Sequence, residues 1–141
     1  MLNVEVLEAS FQVVQNSDRD FPAAFYANLL NDYPDVQPLF ASTQMEKQGH
    51  QLANSLKFVV DNLRNSELLI STLQGLGTRH VKYGVLPQHY PSVGNSLLKT
   101  MASFAGTAWT PDVKQAWVDA YGIITMVMLE GADYPPELLE L

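Results

Sequence analysis

The chain has 141 residues, of which 47% are hydrophobic and 16% are charged, and its formal net charge is −7. This length is typical of one domain with a sizeable core, and no apolar run approaches the ~18 residues of a membrane span. Only eight residues are Lys or Arg, which argues against binding to nucleic acid. The absence of cysteine excludes disulfides, thiolate ligands and thioether-attached cofactors. The N-terminus lacks the features of a secretory signal, so we expect a cytoplasmic protein with no membrane partner.

The apolar residues recur with helical spacing along nearly the whole chain, which predicts an all-α protein. The first two helices are predicted around apolar residues 4–14 and 21–30, with Asp18 as the N-cap of the second. A short turn of helix at 36–40 follows, and a long helix then carries apolar residues from 52 to 63. The pattern thus gives four elements before the middle of the chain.

The second half of the chain is predicted to contain three more helices. Residues 65–67 break and cap the helix that precedes these three, Gly106 closes the second of the three, and Thr110 with the following proline starts the third. Two prolines at 135–136 stop helical propagation. We therefore expect one domain over residues 1–132 and a short acidic tail over residues 133–141.

One inward-facing stripe ends in a histidine, His80. Its other members, spaced by helical steps, are Leu69, Leu73 and Leu76. Just beyond the histidine, Gly84 tolerates a positive φ and Pro87 suits the first turn of the next helix. A core histidine bonded to nearby backbone is the commoner explanation of such a stripe, and a ligating histidine is the alternative.

Four motifs, in this order and at this spacing, resemble the globin family. They are AFYANLL at 24–30, PDVQPLF at 34–40, KQGHQL at 47–52, and LGTRHVKYGV followed by QHYPSVGNSLL within 76–98. Within the family, the chain is similar to bacterial single-domain globins that match the haem domain of flavohaemoglobins. The likeness covers residues 2–130 and implies a globin fold of about six to seven helices around a haem b pocket.

The resemblance implies that His80 is the proximal ligand of the haem iron. Neutral imidazole is a common axial ligand in haem proteins. The second ring nitrogen of a ligating histidine needs an acceptor, and we expect the carbonyl of Leu76, one turn earlier, to serve. By resemblance and by inward spacing, the pocket walls are Phe40, Leu52, Val85, Val93 and Leu97.

On the distal side, the resemblance implies that Tyr26, Gln48 and Leu52 face the bound gas. Dioxygen bound in haem proteins carries partial negative charge on its outer atom, so a phenol and an amide can both donate to it and slow its release. The alternatives are a buried aromatic with a satisfied hydroxyl for Tyr26 and an exposed helix residue for Gln48.

Other polar residues near these motifs have competing explanations. Lys47 and His50 are possible sixth iron ligands, but His50 is turned about 200° from Gln48 on a helix and should point outward. His89 is predicted to be a surface residue at a helix start. Arg79 and Lys82 can pair with haem propionates or be solvated on the helix surface.

Tyr90 matches the family's tyrosine beside the axial histidine. The glutamate that would be its partner aligns with Ala132, which is not acidic, and Glu130 lies two positions earlier. This departure argues against the proximal Tyr–Glu relay of flavohaemoglobins, and with it against assisted cleavage of the oxygen–oxygen bond.

The resemblance implies tight, reversible binding of dioxygen, or of CO or NO, for storage, transport or scavenging. One alternative is a nitric oxide dioxygenase served by a separate reductase, since the sequence contains no GxGxxG loop. Another is a haem-based gas sensor. We expect a monomer or a weak homodimer, with a diatomic gas and possible reductase as partners.

Overall fold

The computed structural model describes residues 2–132 and 134, and these residues form an all-α fold as expected. Six α-helices and two short 3₁₀ segments account for the regular structure of this part of the chain. The helices are α1 (Val4–Gln15), α2 (Phe21–Asp32), α3 (Met45–Asp61), α4 (Ser66–Lys82), α5 (His89–Ala105) and α6 (Pro111–Ala132). The 3₁₀ segments are Pro34–Phe40 and Gly106–Ala108. Within residues 2–132 and 134, no helix combines the length and hydrophobicity that crossing a membrane requires.

The N-cap of α2 is Asp20, and the expectation of Asp18 was wrong. The Oδ1 atom of Asp20 accepts a hydrogen bond from the amide of Ala23 at 3.1 Å. Because an N-cap side chain reaches only the amides two or three residues ahead, the aspartate directly before the helix takes this role. Thr110 caps α6 as predicted, whereas Asn65, expected to cap the end of the preceding helix, is the N-cap of α4.

The buried apolar residues form two clusters. The larger lies mainly among α1, α2, α5 and α6, and its most buried members include Leu7, Phe25, Leu29, Val36 and Met101. The smaller lies where α3, α4, α5 and α6 meet, and it contains Val59, Leu73, Tyr90, Val127 and Met128. The helix that carries His80 thus packs on the smaller of the two clusters.

Helices α4 and α6 approach each other backbone to backbone. A Cβ atom on Gly77 would lie 2.0 Å from the carbonyl oxygen of Met128, and one on Gly131 would lie 2.3 Å from the carbonyl oxygen of Gln74. The Thr78 hydroxyl also donates to the carbonyl of Gly131 at 2.7 Å. Only glycine permits this spacing, so the crossing fixes where α4 lies.

The chain turns sharply after α4. Gly84 has a φ of 87°, the positive value expected for it. Helix α5 begins at His89, two residues after Pro87. His89 lies at the helix start as predicted but is half-buried, because its Nδ1 atom accepts a hydrogen bond from the amide of Leu86 at 2.9 Å.

Helix α6 ends at Ala132, the last residue of the predicted globin domain. The domain boundary itself stays a prediction, and the predicted tail over 133–141 lies outside the described residues except for Tyr134. That tyrosine is 8% exposed.

Candidate haem site

His80 lies half-buried in the last turn of α4. Its Nδ1 atom is 2.8 Å from the carbonyl oxygen of Leu76, the acceptor expected from the sequence. A carbonyl oxygen only accepts, so Nδ1 carries the proton and Nε2 keeps its lone pair for a metal. Burial and, to a smaller extent, the Arg79 cation lower the pKa of His80 below 6.5, against the opposing effect of the Leu76 bond. The imidazole is therefore neutral at neutral pH, the form that binds iron.

Tyr26 and Gln48, predicted as distal partners, are in direct contact. Tyr26 on α2 is 8% exposed, and Gln48 is half-buried in the first turn of α3. The Nε2 atom of Gln48 donates to the Tyr26 hydroxyl oxygen at 3.1 Å. This bond leaves the proton of Tyr26 free for another acceptor.

Aromatic rings fix the orientation of the Tyr26 ring. Phe25 and Phe40 both meet it edge-on, with ring centroids 4.8 and 5.5 Å away. Burial raises the pKa of Tyr26 above 10.0, and the hydrogen bond from Gln48 opposes that shift only in part. The hydroxyl therefore stays protonated and able to donate at neutral pH.

The residues predicted to wall the pocket divide between the two apolar clusters. Phe40, Leu52, Val93 and Leu97 pack with Tyr26 in the larger cluster, and Leu97 is the buried one of these four. Val85 and Tyr90 belong to the smaller cluster, together with the inward stripe of α4. A ligand between Tyr26 and His80 would therefore have apolar walls from both clusters.

Two cavities open along α3. One of about 380 Å³ is lined mainly by polar residues at the start of the helix, including Lys47, Gln48 and Gln51. The other, of about 180 Å³, lies between α3 and α4 and is lined by Phe58, Val59, Leu73, Leu76 and Arg79 among others. Their linings include the distal Gln48 and two members of the stripe that ends in His80.

The remaining predicted polar candidates lie on the surface. His50 is exposed, in agreement with its expected outward direction. Lys47, Arg79 and Lys82 are exposed as well, and none of them forms a salt bridge within the described residues. Pairing of Arg79 or Lys82 with haem propionates stays a prediction.

Tyr90 is buried in the first turn of α5, and its hydroxyl has no hydrogen-bond partner among residues 2–132 and 134. Burial, with a smaller contribution from the nearby Tyr134, raises its pKa to about 12. Glu130 is exposed. Tyr90 thus lies near the phenol of Tyr134, and the expected absence of a Tyr–Glu relay stays a prediction.

Two features near α4 and α6, the helices beside His80, were not predicted from the sequence. One is Tyr134, which follows the last periodic apolar residue of α6 and gave no signal beyond being a single aromatic before two prolines. The other is the close crossing at Gly77 and Gly131. Glycine inside a helix costs about 1 kcal/mol relative to alanine, so glycines within predicted helices were an available sign of close packing.

The fold and the site together define a helical haem-binding protein. Haem needs an axial donor, a flat apolar slot and, for gas binding, room for a ligand on the other face. His80 offers a neutral imidazole with a free Nε2 atom, and Tyr26 and Gln48 lie on other helices. These three residues suit the binding of haem and of a gas ligand.

Comparison with known proteins leads to the same class. The globin family profile matches residues 23–128, and the chain belongs to the globin family. Membership implies a haem cofactor and a diatomic ligand.

The curated relatives are longer proteins. A flavohemoprotein of Bacillus subtilis is 31% identical over 123 residues, which are 86% of this chain and 31% of the relative. One from Pseudomonas putida is 30% identical over 139 residues, or 94% of this chain and 35% of the relative. The chain thus spans about a third of the length of the curated relatives it matches.

Solved structures share the fold over nearly the whole chain. A bacterial globin from Campylobacter jejuni is 28% identical with a TM-score of 0.76, and 98% of this chain and 97% of that one are covered. An engineered carbene transferase from Rhodothermus marinus is 24% identical with a TM-score of 0.82, and 94% of each chain is covered. The globin fold predicted from the sequence is confirmed.

Proposed function

We propose that the protein is a haem b globin that binds dioxygen, CO or NO reversibly and with high affinity. His80 is the proximal ligand, and Tyr26 and Gln48 are the distal hydrogen-bond donors. The observation that carries this proposal is the bond from Gln48 Nε2 to the Tyr26 hydroxyl at 3.1 Å. It is the arrangement that leaves a buried phenol proton available to a ligand.

The proximal side determines how the imidazole is presented. When bound, haem supplies a ferrous iron that takes up a diatomic gas reversibly. His80 would hold it through Nε2, while the carbonyl of Leu76 accepts the Nδ1 proton at 2.8 Å and fixes the rotation of the ring. This bond also makes Nε2 a better electron donor.

The distal side determines how long the gas stays. Tyr26 would donate its phenol proton to a partially negative gas ligand, and Gln48 would hold the phenol in place or donate alongside it. Phe40 and Leu52 pack on this side and limit the entry of water. With water restricted, each hydrogen bond to the gas is stronger than it would be in solution.

Such a pocket suits storage, transport or scavenging of dioxygen. A second function is supported by the curated relatives, which are flavohemoproteins of about three times this length. With electrons from a separate reductase, the same pocket would serve a nitric oxide dioxygenase. A sensor role shares the pocket but has no further observation in its favour.

The first experiment is the visible spectrum of the purified protein in the ferric, reduced and CO-treated forms. We expect an intense Soret band that shifts with reduction and with CO. In His80→Ala this band should be lost or changed, whereas His50→Ala, which alters an exposed histidine on α3, should match the wild type. A wild-type protein that fails to take up supplied haem would contradict the proposal.

A second experiment separates carrier from enzyme. The oxygenated protein is given nitric oxide in excess, with and without a reductase and its nicotinamide donor. Consumption that stops after one equivalent under both conditions favours the carrier. Consumption that continues with the reductase favours the dioxygenase.

A further inference from the structure

Tyr134 lies outside every part of the chain to which a role has been given. It follows the end of α6 at Ala132 and lies beyond residues 23–128, which match the globin family. Its side chain is nevertheless 8% exposed, and its hydroxyl donates a hydrogen bond to the carbonyl of Val85. A single tyrosine thus ties the end of α6 to the turn that follows α4.

Val85 connects this tyrosine to the backbone of His80. The amide of Val85 donates to the carbonyl of His80 at 3.0 Å, while the carbonyl of Val85 accepts from Tyr134. The Val85 side chain and Leu76, whose carbonyl accepts from the His80 ring, both pack on the smaller cluster. The Tyr134 hydroxyl is therefore linked through Val85 to the backbone carbonyl of His80.

The crossing of α4 with α6 lies before this turn, which has its own local hydrogen bonds, including the one from the Leu86 amide to His89 Nδ1. Gly77 and Thr78 bind the body of α4 to α6, but they precede His80. Gly84, at φ 87°, has a conformation that glycine adopts readily, and it separates the helix crossing from Val85. The hydrogen bond from Tyr134 to Val85 lies after that glycine, in a part of the turn that the crossing of α4 with α6 does not contact.

We propose that Tyr134 is a positioning residue for His80, which holds the turn after α4 and thereby the direction of the imidazole Nε2 atom. The inference rests on the proposed function, in that His80 is the iron ligand. Tyr134 also lies close enough to Tyr90 to raise the pKa of that phenol. The two phenols and Val85 thus lie near one another on the proposed proximal side of the pocket.

The test is Tyr134→Phe, which keeps the ring and removes only the hydroxyl. In the reduced, gas-free protein, we expect the iron–histidine stretching band in resonance Raman spectra to shift and broaden. Transfer of haem to an excess of a haem-free acceptor globin should become about 5-fold faster, as expected for one lost hydrogen bond.

Tyr121→Phe is the matched control. It removes a phenol hydroxyl that donates to the backbone carbonyl of Tyr90 at 2.6 Å, on the contact between α6 and α5. We expect a similar loss of stability with an unchanged iron–histidine band. An unchanged band in Tyr134→Phe, or an equal shift in both variants, would overturn the positioning role.

If Tyr134→Phe does not retain haem, the inference is tested by hydrogen exchange in the haem-free protein. In the haem-free protein, hydrogen exchange of the Val85 amide should be faster in Tyr134→Phe than in the wild type, and not in Tyr121→Phe. An equal rate in all three proteins would overturn the inference. A wild-type band that persists in His80→Ala would instead refute the proposed ligand, and the two failures are thereby distinguished.

Discussion

The proximal and distal sides of the pocket are held in different ways. The proximal helix α4 rests on α6 through backbone contacts at Gly77 and Gly131, and its N-terminus is capped by Asn65. The distal donors depend on side chains: Gln48 meets Tyr26 from the first turn of α3, whose N-cap makes no side-chain hydrogen bond. In the proposed haem site, backbone geometry would thus set the place of the His80 imidazole, whereas side chains would set the strength of gas binding.

This difference separates the expected effects of substitution. Changes in the α4–α6 crossing should reduce the stability of the fold and the retention of haem together, because they move an entire helix. Changes at Tyr26 or Gln48 should alter the kinetics of gas release while the fold stays intact.

The largest effect is expected for Gly77→Ala. Its new Cβ would lie 2.0 Å from the carbonyl oxygen of Met128, so the two helices must separate. Overpacking of this kind costs about 1–3 kcal/mol, and we expect at least that loss in urea unfolding.

The matched control for this substitution is Gly122→Ala on α6. A Cβ there meets nothing within 4 Å, so the helix should gain up to about 1 kcal/mol. Equal stability of Gly77→Ala and the wild type would show that the crossing tolerates separation.

The next largest effect is expected for Tyr26→Phe. A hydrogen bond to a charged acceptor contributes about 1.5–3 kcal/mol, so the dissociation of dioxygen should become roughly 10- to 100-fold faster. Stopped-flow displacement by CO measures this rate.

Tyr33→Phe provides the control for Tyr26→Phe. The hydroxyl of Tyr33 accepts a hydrogen bond from Asn95 at 3.1 Å, away from Gln48, and its loss should leave the dissociation rate unchanged. The same rate for Tyr26→Phe and the wild type would remove Tyr26 from the distal role.

The sequence predicted those parts of the site that depend on local periodicity. The stripe ending in His80 and the acceptor at Leu76 follow from helical spacing alone, because residues four apart share a face. The assignment of Tyr26 and Gln48 to one distal side came from the family resemblance, since nothing local relates residues on two different helices, and their mutual hydrogen bond was not predicted.

The parts that were missed depend on contacts between distant segments. The approach at Gly77 requires a partner backbone 51 residues later, at Met128, which periodicity does not identify. Tyr134 follows a helix end, where no repeat indicates burial. The N-cap of α2 was misplaced by two residues because Asp18 and Asp20 are the same residue type in a short loop.

A smaller effect is expected for Gln48→Leu. The amide bond to Tyr26 is between neutral groups and contributes about 0.5–1.5 kcal/mol, so dioxygen release should become roughly 2- to 12-fold faster. Because the two residues are in contact, the double variant with Tyr26→Phe should show less than the product of the two single effects. A fold-change in the double variant equal to the product of the two single fold-changes would mean that Gln48 and Tyr26 act independently on the gas.

The smallest effect is expected from alkaline pH. Burial raises the pKa of Tyr26 above 10.0, and a phenol donates only while it is protonated, so its bond to the gas is present below the raised pKa and is lost as pH rises through it. The dissociation rate of dioxygen should therefore stay constant from neutral pH up to pH 10.0, where an ordinary phenol is half ionised. Stopped-flow measurements along this range, with circular dichroism to confirm the fold, test the expectation. Acceleration in the wild type that is absent in Tyr26→Phe would show that water reaches the phenol, and that the distal side is more open than its aromatic neighbours indicate.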